Sequence, residues 1–300
     1  MERSRRIIAA SMALVLILAT GGCGGNSADK TAIPSSIAAS PTGAPAVLPT
    51  TSGTGSPTSS PTSAPLSGSL TVFAAASLTD AFTEIGNRLT AENPGLRISF
   101  NFAGSQALVT QLQQGARADV FASADLKQMT AAQGANLIDG NPIVFTHNRL
   151  TIIVPASNPG GINAPVDLAR PGLKLVIANK DVPAGRYTRQ SLDLMSADPA
   201  FGADFRARVE ANVVSEENNV KQVVTKVQLG EADAGIVYAS DVTAAVQGDV
   251  ATIGIPDSMN VIAEYPIARV AGGNAALGQA FIDAVLSAAG QQTLQAHGFH

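Results

Sequence analysis

Two serines stand at equivalent places in the sequence. Ser77 follows the apolar run 70–74 and has Asp80 three residues further on; Ser105 follows the alternating run 97–102 and is preceded by Ala103 and Gly104. A serine that opens a helix ordinarily caps it, accepting one of the free backbone N–H groups of the first turn. The pairing of the two adds a second possibility. Neighbouring parallel strands point their carboxyl ends the same way, so the helix starts that follow them meet at one crevice. Unpaired N–H groups and the positive ends of two helix dipoles make such a crevice a site for an anion. Two serine hydroxyls would add two further donors.

Residues for bond-breaking chemistry are scarce. The three histidines are His147, His297 and His300, and the last two sit at a C-terminus expected to fray. None has the His-Glu-x-x-His spacing of a metal site. The single cysteine, Cys23, lies ahead of the folded part, so no intrachain disulfide forms and no thiol nucleophile remains there. No GxxxxGK[ST] phosphate loop occurs, no GxGxxG follows the first strand, and no Gly-x-Ser-x-Gly elbow is present. The adjacent carboxylates Glu216 and Glu217 read as solvated acids at a helix end. This balance favours a binding protein over a catalyst.

The elements that must position the serines are legible as short apolar runs alternating with helical periodicity. Residues 70–74, 97–102, 119–122, 150–154, 175–178 and 235–238 read as strands. Leu78, Phe82, Ile85 and Leu89 repeat at helical spacing, as do Val220, Val223, Val224 and Val227, and a last helix is expected over 275–288. Such alternation implies α/β layering with mostly parallel strands. The chain has 300 residues, 45% hydrophobic and 14% charged, with a formal net charge of −4, so no basic face for nucleic acid is indicated. Trp is absent and aromatics make up 4%, which argues against a sugar site built on stacked rings.

The N-terminus has a different character. Arg3, Arg5 and Arg6 precede the apolar run 7–19, and small residues lead to Cys23. Positive, apolar and small in that order is an export signal. The apolar run, about 13 residues, is too short for a permanent span of roughly 20. A cysteine after small residues resembles the bacterial lipobox, although Thr20 stands where that motif usually has Leu. From Gly24 to about Ser67 the chain is Pro, Ser, Thr, Ala and Gly without periodicity, which reads as a disordered tether of roughly 35–40 Å reach. Residues 1–22 are thus expected to be the signal peptide, and 23–68 a lipidated Cys23 with its tether on the outer face of the cell membrane. A chain starting near Ser67 is expected to fold and bind as a monomer.

Several segments together carry a resemblance. AAASLTDAF (74–82), FNFAGSQALVTQL (100–112), ADVFASAD (118–125), NRLTIIVP (148–155), DVPAGRYTRQSL (181–192), GIVYASD (235–241) and EYPIA (264–268) resemble, in order, the signatures of the molybdate-binding proteins of ABC importers. Two stretches depart from that pattern. Glu-Asn-Asn-Val at 217–220 replaces the family's usual Glu-Asp-Val, and 198–202 reads as an insertion.

The resemblance implies an α/β, two-lobed periplasmic-binding-protein type II fold with its ligand cleft between the lobes. One lobe would comprise 69–148 plus 257–300 and the other 149–256. It also implies a ligand set: Ser77 and Ser105 through hydroxyl and backbone donors, Ala184 and Val220 through backbone N–H groups, and Tyr238 through its phenol. The implied ligand is molybdate, with tungstate nearly equivalent, passed to an ABC permease; no cofactor, no direct protein–metal ligand and no nucleic acid are expected. A set of donors without a carboxylate suits a fully deprotonated tetrahedral oxyanion and disfavours phosphate, whose remaining proton needs an acceptor. Sulfate satisfies the same rule, so a receptor for another tetrahedral oxyanion is the first alternative. A secreted α/β hydrolase and a surface adhesion module are more distant ones.

Overall fold

The computed structural model describes residues 65–300; the expected signal peptide, Cys23 and nearly all of the expected tether lie outside the described residues. Among the described residues, ten strands form two five-stranded sheets. The first contains β1 (Ser67–Ala75), β2 (Gly95–Ala103), β3 (Val120–Ala122), β4 (Ile138–Asn148) and β10 (Ala263–Val270), in the order β2-β1-β3-β10-β4. The second contains β5 (Leu150–Pro155), β6 (Leu175–Ala178), β7 (Val213–Glu217), β8 (Ala234–Tyr238) and β9 (Val250–Gly254), in the order β7-β6-β8-β5-β9. The chain therefore leaves the first sheet after Asn148 and returns to it at Ala263, giving two lobes.

The strands that lead into helices pair in parallel, β1 with β2 and β3, and β6 with β7 and β8. The expectation of a mostly parallel arrangement holds only for these. Two antiparallel pairs complete each sheet: β10 with β3 and β4, and β5 with β8 and β9. The reason is the double crossover. A strand that enters a sheet from the other lobe, or returns from it, has no preceding helix in that lobe to reverse its direction.

Helices α1 (Thr79–Glu92), α2 (Ser105–Gln113), α3 (Leu126–Gly134), α7 (Ala275–Leu286) and α8 (Ala288–Ala296) belong to the first lobe; α4 (Pro183–Ala197), α5 (Phe205–Ala211) and α6 (Val220–Gln228) belong to the second. In the first lobe Phe82 meets Phe281 edge-on at 5.3 Å and Phe145 at 5.7 Å, fixing α1 and α7 against the sheet. In the second, Val220, Val223, Val224 and Val227 are all buried, as their spacing predicts.

The C-terminal region departs from expectation in two ways. The helix expected over 275–288 divides at Ser287, which is extended (φ −60°, ψ 157°) and caps α8 by accepting from Gly290 N–H at 3.0 Å. The terminus is not frayed: His147 and His300 exchange backbone hydrogen bonds of 2.7 and 3.1 Å, and Phe299 is buried edge-on against Tyr265 at 5.4 Å. His297 bonds Glu84 across α8 and α1 at 2.9 Å. The acids Glu216 and Glu217 also differ from the solvated helix-end pair expected. They end β7 and are ion-paired, with Arg189 and Lys226 respectively, each at 2.6 Å.

Candidate functional site

The segments that follow β1, β2 and β3 in the first lobe and β6, β7 and β8 in the second converge on one small cavity. Ser77, Ser105, Ala184, Val220 and Tyr238 all line it, together with Gly104, Ala124 and Asn219. The cavity holds about 210 Å³ of empty space including its mouth. Among the described residues, none that lines it carries an ionised side chain.

Neither serine is a helix cap. Ser77 lies in a single 3-10 turn, Ala76–Leu78, and α1 begins two residues later with Leu78 at its N-cap and no side-chain capping bond. The Ser77 Oγ lies 2.9 Å from the Tyr265 hydroxyl. Ser105 is the first residue of α2, and Gly104 is its N-cap. The Ser105 Oγ instead accepts from the Ala124 N–H at 3.0 Å, on the neighbouring junction after β3. Both serines are buried. The Ser105 oxygen accepts, so its own O–H is left free to donate. Ser77 shares its bond with a tyrosine that is itself part of a relay. Asn148 Oδ1 accepts from Arg149 N–H at 2.9 Å, so its amide nitrogen faces Ser240 Oγ (2.7 Å) and the Tyr265 hydroxyl (3.5 Å). Either hydroxyl of the Ser77–Tyr265 pair can donate to the other; when Tyr265 donates, the Ser77 O–H is left for a cavity ligand.

The second lobe contributes main-chain donors. Pro183 opens α4, where its missing N–H costs nothing, and the first intrahelical bond runs from Arg186 N–H to Val182 C=O. The N–H groups of Ala184 and Gly185 therefore have no partner in the helix. Gly185 is a steric requirement, since a Cβ there would lie 2.0 Å from Asn179 O. At α6 the Asn219 side chain caps only Gln222 N–H, at 3.1 Å, which leaves Val220 and Lys221 N–H without intrahelical partners. The departure Glu-Asn-Asn-Val thus keeps a helix start at Val220 and supplies its cap. Gly104 lets the two lobes come together here: a Cβ would come 2.5 Å from Asn218 O.

Tyr238 ends β8. Its ring is buried and meets Tyr265 edge-on at 5.8 Å, and its hydroxyl is buried without any hydrogen-bond partner. Burial pushes its pKa, and that of Tyr265, well above the usual tyrosine range, so both remain protonated. A buried O–H with no acceptor, at the wall of a cavity, lacks a partner that a ligand oxygen would supply.

All five residues singled out in the sequence meet at this cavity. Tyr265, Asn148 and Asn219 were not anticipated. Asn219 carries the Asx signature of a helix cap two residues after β7 and was within reach of the pattern; the Tyr265–Ser77 contact spans 188 residues and was not.

The profile of the family described as bacterial extracellular solute-binding protein matches residues 70–300. The chain is 43% identical over 232 residues to "Molybdate-binding protein ModA" of Mycobacterium tuberculosis (strain ATCC 25618 / H37Rv), covering 77% of this chain and 84% of that relative. Among solved structures, the periplasmic molybdate-binding protein of Azotobacter vinelandii superposes with a TM-score of 0.67 at 18% identity, over 77% of this chain and 98% of that one. The sulfate-binding protein SubI from M. tuberculosis H37Rv does so at 0.68 and 19%, over 77% and 86%. These two share the two-lobed α/β fold. With the profile spanning nearly every described residue, the chain belongs to the family of bacterial extracellular solute-binding proteins.

Proposed function

We propose that this protein captures molybdate outside the cytoplasm and delivers it to an ABC importer, with tungstate as a near-equivalent ligand. The observation that carries the reading is the buried, unpartnered hydroxyl of Tyr238 at the wall of a cavity ringed by free helix-start N–H groups and two serines. A tetrahedral dianion offers four oxygens, each able to accept more than one hydrogen bond. Bonds to an ionised acceptor are roughly twice as strong as neutral ones, so neutral donors suffice to hold it. Ser77 and Ser105 serve as hydroxyl donors, Ala184 and Val220 as main-chain donors, and Tyr238 as the phenolic donor. With no carboxylate at the wall, a protonated phosphate would leave its O–H unmatched.

The protein is a binding protein without catalytic machinery, acts as a monomer and uses no cofactor. Cys23 is its lipid attachment, and the Pro/Ser/Thr-rich stretch lets the folded part reach a permease from the membrane surface. The 43% identity to a relative named as molybdate-binding supports the choice of ion. Isothermal titration of molybdate, tungstate, sulfate and phosphate into the ligand-free protein tests it. Molybdate and tungstate should bind alike and far more tightly than phosphate. Tighter binding of sulfate than of molybdate would assign the site to the smaller ion, and binding of none would remove the oxyanion reading.

A further inference from the structure

The two helices of the second lobe that present free N–H groups to the cavity each carry a cation in that first turn. Arg186 lies two residues after Ala184, and Lys221 follows Val220. Each reaches across to a carboxylate at a helix start of the first lobe. Arg186 Nη2 is 2.6 Å from Asp125 Oδ2, and Lys221 Nζ is 2.8 Å from Asp80 Oδ2. One pair thus stands beside Ala124 and Ala184, the other beside Val220 and the Ser77 turn, so the cavity is flanked by both. Gln106 Nε2 adds a neutral bond across the same gap, to Asn218 O at 3.1 Å.

We propose that Arg186–Asp125, assisted by Lys221–Asp80, is a latch that forms only when the lobes close and that sets how fast the bound anion escapes. The proposal rests on the reading of the cavity as an oxyanion site. None of the four side chains lines that cavity, so they act as positioning residues: they hold the α4 and α6 N-termini over the anion.

The two pairs differ in weight. The Asp125 carboxylate is fully buried and already fixed within its own lobe, because its other oxygen caps α3 by accepting Gln128 N–H at 2.7 Å. The Arg186 guanidinium is fixed within the other lobe, 4.5 Å above the Tyr187 ring. Both partners are therefore preorganised before they meet, and little side-chain freedom is lost on closure. Lys221 and Asp80 are 28% and 42% exposed, so their attraction is screened and smaller. Lys221 is also 3.7 Å from the buried Asp241 of its own lobe, which keeps it near the rim.

The test uses the full-length protein and molybdate, with release followed by displacement in a stopped-flow fluorimeter. The chain has no Trp and three Tyr, and Tyr187, Tyr238 and Tyr265 are all buried around the cleft, so intrinsic tyrosine emission reports its state. Asp125→Asn retains the α3 cap, since Asn caps as well as Asp. Asp125→Asn and Arg186→Gln should each speed release by roughly ten- to thirtyfold while leaving association within about twofold. The double variant should be no faster than either single one, because both break the same pair. Lys221→Gln should accelerate release by roughly threefold. A pair that merely stabilised the fold would lower the melting temperature of the ligand-free protein and leave release unchanged, and that result overturns the latch. Strictly additive single effects overturn it as well. Absence of any signal from the wild-type protein with molybdate, tungstate or sulfate would instead overturn the oxyanion site, and the latch with it.

Discussion

Replacing Tyr238 by Phe removes one atom and leaves the ring that packs edge-on against Tyr265. In the structure that hydroxyl is buried and has no partner. Its removal from the ligand-free protein therefore sacrifices no hydrogen bond, and it relieves whatever desolvation the O–H carries. The melting temperature of the ligand-free protein should stay level or rise. Binding should respond in the opposite sense. A hydrogen bond to a charged acceptor is worth about 1.5–3 kcal/mol, so molybdate should dissociate with a constant about ten- to a hundredfold larger. Isothermal titration and thermal melts on the same samples measure both quantities. Opposite signs in the two are the signature of a donor kept for a ligand. A loss of about 1 kcal/mol in the ligand-free melt with unchanged affinity would refute the reasoning, because it would mean that the hydroxyl serves the fold.

Ser77→Ala and Ser105→Ala should each weaken molybdate by about ten- to a hundredfold in titration. Both should also cost about 1 kcal/mol or more in the ligand-free melt, Ser105→Ala because it leaves the buried Ala124 N–H without its acceptor and Ser77→Ala because it leaves the buried Tyr265 hydroxyl without its Ser77 partner. Cys23→Ala should move the protein from the membrane to the soluble fraction without changing its affinity, as fractionation and titration would show. Burial raises the Asp241 carboxyl to about 6, against 3.8 for an ordinary aspartate. The folded state therefore holds its proton where the unfolded chain has lost it, and this group's contribution to stability falls as pH rises from about 4 to about 6. Asp241→Asn cannot titrate, so its stability relative to wild type should increase by about 2–3 kcal/mol between pH 4 and pH 7 in denaturant titrations. A constant difference across that range would show that Asp241 is not held protonated.

The parts of the fold that depend on local pattern were open to reading. The strand over 70–74 followed by helical spacing from Leu78, and the valine stripe of α6, need only neighbours in sequence, and both elements form as their pattern requires. The paired serines were legible for the same reason, since each announces itself at a strand end. What they do there was not. Capping is the local reading of either serine taken alone, yet Ser77 turns to Tyr265 and Ser105 to Ala124. Strand direction failed where the chain crosses between lobes, because β5 and β10 take their orientation from partners that follow or precede them by more than 80 residues. The C-terminus looked free because its pairing with His147 lies 153 residues away. Tyr238 was reached through a resemblance; its missing hydrogen bond, which gives that position its meaning, exists only in three dimensions.

The placement of charge bears on how such a site would choose. A cation inside the cavity would attract any anion at little cost in geometry, since a point charge is satisfied from many directions. Here the cations nearest the donors, Arg186 and Lys221, stand outside the cavity and are neutralised by Asp125 and Asp80. What remains at the wall is a set of O–H and N–H groups whose directions are fixed by four helix starts and one strand end. Such donors strengthen only when an oxygen lies on each axis. An ion of the wrong shape, or one bearing a proton, therefore loses bonds rather than a share of a diffuse attraction. The charges are used once more at the rim, where they meet only after the lobes have closed. On this view the same closure that brings Ala184 and Val220 to the ligand also forms the Arg186–Asp125 pair. Selection by hydrogen-bond direction and retention by ion pairing then fall to different residues. Substitutions at Tyr238 should change which ion binds, and substitutions at Asp125 only how long it stays. A change in the molybdate-to-sulfate preference of Asp125→Asn comparable to that of Tyr238→Phe would contradict this division.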